Sequence, residues 1–182
     1  MGVIILKEVI VVTLRISWRM HVICILLGIA ILKCFDGFVD NILGNVFLSP
    51  LIWFPTKYVI LNFYMYALIL MSPIVLVHEG IHGVVFKIFG GKVKFGFKGI
   101  YAYTMETSGK PIERIKFIIV LLAPLVVITI PCLLFFNVVT GLILLLNLIG
   151  ATGDIYMTIV LMGCDRNTKV IDRIYGLDLV EA

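Results

Sequence analysis

The chain has 182 residues, of which 62% are apolar and 14% charged. A soluble domain is closer to half apolar with about a quarter of its residues charged, so the composition excludes an ordinary water-soluble globule and points to lipid as solvent. The formal net charge of +4 does not mark a nucleic-acid partner, because the basic residues flank apolar stretches and form no dense basic stripe.

In chain order, residues 1–16 are β-branched and loosely alternating, which fits either a strand or an interfacial helix. Lys7 and Glu8 interrupt the apolar run and no small-residue cleavage site follows, so this is not read as a signal peptide. Stretches of about 20 apolar residues, enough to cross a bilayer, fall at 17–35, 58–77, 115–136 and 138–161. In the first, Arg19 and Lys33 lie near the ends, where long side chains snorkel to the interface. Residues 36–57, with Trp53 and Phe54 between Pro50 and Pro55, suit an interfacial or re-entrant piece.

The second span is expected to continue as helix past His82 to Phe89, with a bend at Pro73, until Gly90-Gly91 stops it. Beyond the glycines, Val93, Phe95 and Phe97 alternate with Lys92, Lys94, Gly96 and Lys98. Tyr101, Tyr103 and Met105 then alternate again, so a β-hairpin turning near Lys98-Gly99 is expected. The fold class is therefore mainly α: a polytopic transmembrane helical protein of about four spans with a small cytoplasmic-side β-hairpin. Without repeats or low-complexity linkers, residues 1–182 form one membrane-embedded domain with a C-terminal cytoplasmic tail at 164–182.

Charge placement sets the orientation. Between Lys87 and Lys116 lie seven Lys/Arg against Glu106 and Glu113; the N-terminal segment adds Lys7, Arg15 and Arg19, and the C-terminal tail adds Arg166, Lys169 and Arg173. The segment after the first span carries Asp36 and Asp40, with Lys57 at its end. The positive-inside rule then gives a multi-pass cell-membrane protein with both termini cytoplasmic. Cys24, Cys34, Cys132 and Cys164 have no CxxC spacing and read as small buried hydrophobes.

The chemistry lies in His78-Glu79-Gly80-Ile81-His82. On a helix, residues four apart differ by about 40° and one turn of rise, so both imidazoles point from one face toward one metal ion. Glu79 is rotated about 100° from His78, within reach of a water activated by zinc but not itself a ligand. The pattern reads as two Zn2+ ligands and a general base. Two of the chain's three histidines are here, and Glu79 and Asp154 are the acidic residues inside apolar spans. An intramembrane carboxylate costs about 2.5–3.5 kcal/mol to insert and usually has a partner or a function.

Zinc hydrolases commonly use three protein ligands, and Asp154 is the candidate third. His82 lies about 10 Å from the expected helix end at Phe89, and Asp154 about 13 Å from one at Gly163, so their depths match. Asn147, seven residues before Asp154, shares a helical face with it and with Gly150; it either bonds substrate or the site, or serves as a packing amide. Other possible third ligands are His21, Glu106 and Glu113.

From about residue 65 to 163 the sequence resembles the zincin membrane peptidases, a family similar to the intramembrane site-two proteases. The motif helix, Gly90-Gly91, the strand pair, Ala123-Pro124 and Asn147…Gly150…Gly153-Asp154 carry the likeness. The resemblance implies His78, His82 and Asp154 as zinc ligands, Glu79 as base, and a peptidase-like core at about 58–163. Site-two proteases usually have glycine after the ligand aspartate, whereas here Gly153 precedes it and Ile155 follows. The expected activity is zinc-dependent hydrolysis of a peptide or membrane-protein substrate, with lipid as the other partner and the edge at 92–98 holding the substrate extended. In the bland reading that hairpin is interfacial, its lysines against anionic lipid. The competing functional reading is a non-catalytic metal-binding membrane protein: a transporter, an assembly factor or a peptidase-like binding protein.

Overall fold

The computed structural model describes residues 9–98 and 101–181. Strand β1 (Val9–Arg15) is the first element among the described residues, so 9–15 of the stretch 1–16 are strand. Helix α1 (Trp18–Cys34) follows, and α2 (Asp36–Leu48) turns 87° from it. Helix α2 lies against the far end of the bundle, its Ile42 and Val46 packed with Leu142 and Leu145 in one buried cluster. With the 3-10 turn Pro50–Trp53 it accounts for the segment left open in sequence.

Helix α3 (Val59–Ile88) has 30 residues, about 45 Å at 1.5 Å per residue. It runs unbroken as helix through Pro73. At its end Gly90 adopts φ +80°, and the N–H of Gly91 bonds back to the Phe86 carbonyl. This left-handed glycine cap is the stop expected from the sequence. The chain then folds back as β2 (Val93–Lys98) and β3 (Tyr101–Glu106), paired antiparallel with Phe95 opposite Thr104. The expected turn at Gly99 lies outside the described residues. The hairpin lies alongside α3: Phe95 fills the space above Gly83, where an added Cβ would overlap its ring.

Next come β4 (Ile112–Glu113), α4 (Arg114–Leu134), α5 (Val138–Gly150) and α6 (Thr152–Met162). Asn137 and Thr140 form a reciprocal capping box that starts α5. The stretch 138–161, read as one span, is broken at Ala151 and bent by 48°. Gly150 weakens the helix there, and the Thr152 hydroxyl donates to the Ile149 carbonyl at 2.9 Å, satisfying an acceptor at the bend. The bend places Asp154 in the first turn of α6.

Within the stretch 164–182, read in sequence as a C-terminal tail, most of the described residues are paired strand. Strands β5 (Lys169–Arg173) and β6 (Gly176–Glu181) form a four-stranded antiparallel sheet in the order β1-β6-β5-β4. Its inner residues Val170, Leu177 and Leu179 join Phe86, Phe117, Val120, Leu121 and Leu161 in the larger core. Arg114 secures the junction, donating from its guanidinium to the carbonyls of Leu161 and Cys164 at 3.3 and 2.5 Å. Asp178, on the other face, accepts from Thr13, Arg173 and Tyr175 at 3.0, 3.1 and 2.7 Å. These bonds hold its carboxyl below the usual range although burial opposes them.

Helices α3 and α4 are each long and apolar enough to cross a membrane, and the count rises to four if each bent pair is one span. Their outward faces are apolar too: Leu68, Ile69, Leu76 and Val77 on α3, and Val126, Val127 and Ile130 on α4, are exposed. A helix apolar all round is one built for a surrounding as apolar as itself.

Candidate metal centre

The one-turn spacing on α3 brings His78 and His82 side by side, ring centroids 4.9 Å apart, and both are buried. Asp154 reaches them from α6. Its Oδ2 lies 3.0 Å from His78 Nε2 and 3.5 Å from His82 Nε2. One donor atom from each of the three falls within 4.8 Å of the others, so they group as a possible metal site.

The opposite ring nitrogens fix how the imidazoles are used. His82 Nδ1 lies 2.8 Å from the main-chain oxygen of Val120 on α4, which only accepts, so Nδ1 carries the proton. His78 Nδ1 likewise faces Asn147 Oδ1 on α5 at 3.1 Å and donates to it. A neutral ring then presents its Nε2 lone pair toward Asp154, whereas a doubly protonated ring donates to the carboxylate from Nε2. In the neutral form two lone pairs and a carboxylate oxygen face one another, an arrangement that a cation among them stabilises. This donor set fits zinc, and the outer hydrogen bonds match those that orient metal-binding histidines.

The Val120 oxygen is free for a local reason. In α4 it would accept from the N–H of residue 124, four positions on, but Pro124 has none. Proline thus leaves an unpaired carbonyl deep in the core, and His82 fills it. Ala123-Pro124 was visible in the sequence, so this partner was legible there without being read.

A cavity of about 740 Å³ opens beside the three side chains. Glu79 lines it, together with Cys24 and His21 from α1, Ala102 to Met105 of β3, Asn147, and Asp172 of β5. The Thr104 hydroxyl donates to the Glu79 main-chain oxygen at 2.8 Å, which ties β3 to the helical turn between the histidines. Among the described residues the cavity is lined by β3 and not by β2, so the strand beside the site is β3 and not the 92–98 edge offered as one reading of the hairpin. Asn147 has its Oδ1 on His78, while its buried amino group has no partner among the described residues.

The other possible third ligands are elsewhere. His21 faces the cavity but is not one of the three grouped side chains. Glu106 is buried, accepting the N–H groups of Lys92 and Ser108 at 2.9 and 2.8 Å. Glu113 pairs with Lys116 at the surface at 2.7 Å. Thr104 and Asp172 were missed in sequence because nothing local marks a threonine or aspartate that acts across strands.

Two histidines from one helix and an aspartate from another, beside a glutamate in a cleft, form a group of side chains able to hold a metal ion. Residues 71–169, more than half of the chain, match the family described as "Putative zincin peptidase", and the chain belongs to that family. No curated protein and no solved structure matches it.

Proposed function

We propose that this chain is a membrane-embedded zinc metallopeptidase that hydrolyses peptide bonds of membrane or membrane-proximal substrates. One observation carries the reading: two imidazoles with tethered Nδ1 groups aim their Nε2 atoms at one carboxylate oxygen, beside a cavity that Glu79 also lines.

His78, His82 and Asp154 hold the zinc. When bound there, zinc supplies a Lewis acid and brings the acidity of water to about pKa 7. Glu79 accepts the proton of the attacking water on its carboxylate and returns it to the departing amine nitrogen. Asn147 fixes the His78 ring, and its unpartnered amino group donates to the substrate carbonyl. The substrate is held extended along the cavity side of β3, where main-chain pairing tolerates many sequences. Such a cleft suits a peptide bond already unwound, because a helical substrate has its carbonyls bonded internally.

The membrane setting rests on the long apolar helices and on charge segregation. The strands that join the N-terminal, central and C-terminal segments carry or adjoin Arg15, Arg114, Lys169 and Arg173, and α2 at the far end carries Asp36 and Asp40. This distribution supports a cytoplasmic sheet end with both termini on that side.

The direct test is zinc quantification on detergent-purified protein. Wild type is expected to hold one zinc per chain, and His82→Ala and Asp154→Ala to lose it. Metal-free wild type under zinc-replete conditions would overturn the proposal.

A further inference from the structure

Strand β3 has β2 as its only strand partner among the described residues. The N–H of Thr107 donates to the Lys92 carbonyl at 2.7 Å. Antiparallel alternation therefore turns the main-chain groups of Glu106 away from β2. The Glu106 N–H donates instead to Asp172 Oδ2, at 2.8 Å, across the gap to β5. By the same period of two, the main-chain N–H groups of Ala102 and Thr104 face the side that Glu106 faces, and both residues line the cavity. Strand β5 pairs with β6 along its length but with β4 only at Lys169 and Val170. Asp172 thus stands past the end of β4, on the same sheet face as the buried Val170, at the cavity wall.

From this arrangement we propose that Asp172 is a positioning residue for substrate, ending the open edge of β3 along which the peptide lies. The inference rests on the peptidase reading above. The carboxylate occupies the place that a carbonyl of an adjoining strand would take at Glu106. A peptide laid along β3 pairs at Ala102 and Thr104 and stops where Asp172 begins. Thr104 is also bonded to the Glu79 carbonyl, so holding the end of β3 sets the peptide's register against Glu79. Register matters because a slip of one residue moves every side chain of an added strand to its opposite face. Asp172 lies beyond residue 169, where the family match ends, so this contact is supplied by the chain's own C-terminal sheet.

The test compares two probes on zinc-loaded, full-length protein in detergent. Acetohydroxamate reaches only the metal, whereas a hydroxamate carrying a four-residue peptide also reaches the strand edge. Asp172→Ala is expected to weaken the peptidyl probe about tenfold, the scale of one lost hydrogen bond, and to leave acetohydroxamate unchanged. Asp172→Asn keeps an acceptor for the Glu106 N–H and is expected to restore binding to within about twofold. Equal losses for both probes, an unaffected peptidyl probe in Asp172→Ala, or no rescue by Asp172→Asn would overturn the proposal. Amide hydrogen exchange over residues 102–106 is independent of zinc and is expected to quicken in Asp172→Ala but not in Asp172→Asn. If neither probe binds wild type, the peptidase reading fails, and unchanged exchange in Asp172→Ala separately rejects the hold on β3.

Discussion

His82 donates from Nδ1 to the main-chain oxygen of Val120 at 2.8 Å, filling an acceptor that Pro124 leaves without its helical donor. Pro124→Ala restores an N–H that competes for that oxygen. The helix itself gains stability, since proline costs about 3 kcal/mol in a helix interior. Zinc affinity is nevertheless expected to fall by about tenfold or more, the usual effect of disturbing a hydrogen bond behind a metal ligand. Pro131→Ala, one helical stretch further on, is the control and leaves zinc affinity unchanged. Chelator competition on both variants reads this out, and equal affinities for the two would reject the account.

Glu79→Gln removes the proton acceptor and little else. It is expected to keep one zinc per chain and lose turnover by about 10²-fold or more. Zinc content and peptide hydrolysis measured on the same preparation check this. Undiminished turnover would remove Glu79 from the proposed role.

Asp154→Asn removes a charge at nearly constant shape, so zinc affinity and activity are expected to fall together. Asp154→His restores part of the zinc binding, because imidazole also ligates zinc. An aspartate that served only helix packing would leave zinc occupancy full in Asp154→Asn.

Much of this was legible in the sequence, for identifiable reasons. Helical spacing alone put His78 and His82 on one face, and Asp154 stood out as a carboxylate inside an apolar span at a depth matching His82. Gly90-Gly91 marked the stop of α3. The bend at Ala151 was not legible, because Gly150 and Gly153 in an apolar run serve equally for close helix packing. The sheet was missed for a different cause: β1 and β6 lie at opposite ends of the chain, and neither segment carries a turn signal naming its partner. Asp172 carried no signal of its own in the sequence, and it is β5 that brings it against Glu106.

Orientation is testable with single cysteines in a background lacking the four native ones. A cysteine at Asn45, on α2, is expected to react with a membrane-impermeant reagent on intact cells, and one at Gly109, in the loop after β3, only after lysis. The reverse pattern would invert the topology.

Asp172 also sets a pH dependence. Burial, chiefly, with a smaller push from the neighbouring Glu106 charge, raises its carboxyl to about 7, while the Glu106 and Arg173 N–H groups and His82 pull the other way. An unfolded aspartate titrates near pKa 3.9, so between about 4 and 7 the folded chain binds more protons than the unfolded one. Stability from this group is then full at low pH and lost as pH rises through about 7. Asp172→Asn, neutral throughout, is expected to show a smaller fall in thermal midpoint from pH 5 to pH 8 than wild type. Parallel profiles for the two proteins would refute it.

The pairing of β1 with β6 has a consequence for biogenesis. Thr13 and Asp178, which bond across that pair, are 165 positions apart. Strand β1 therefore leaves the ribosome well before β6, and their pairing waits until residue 178 has been made. Such long-range pairing is the slow step of folding, because the closure entropy is lost before any contact is gained. Until β5 has been made, the histidines and Glu79 stand on α3 without Asp172 beside the end of β3. The pairing of β1 with β6 thus ties a complete cleft to synthesis through β6.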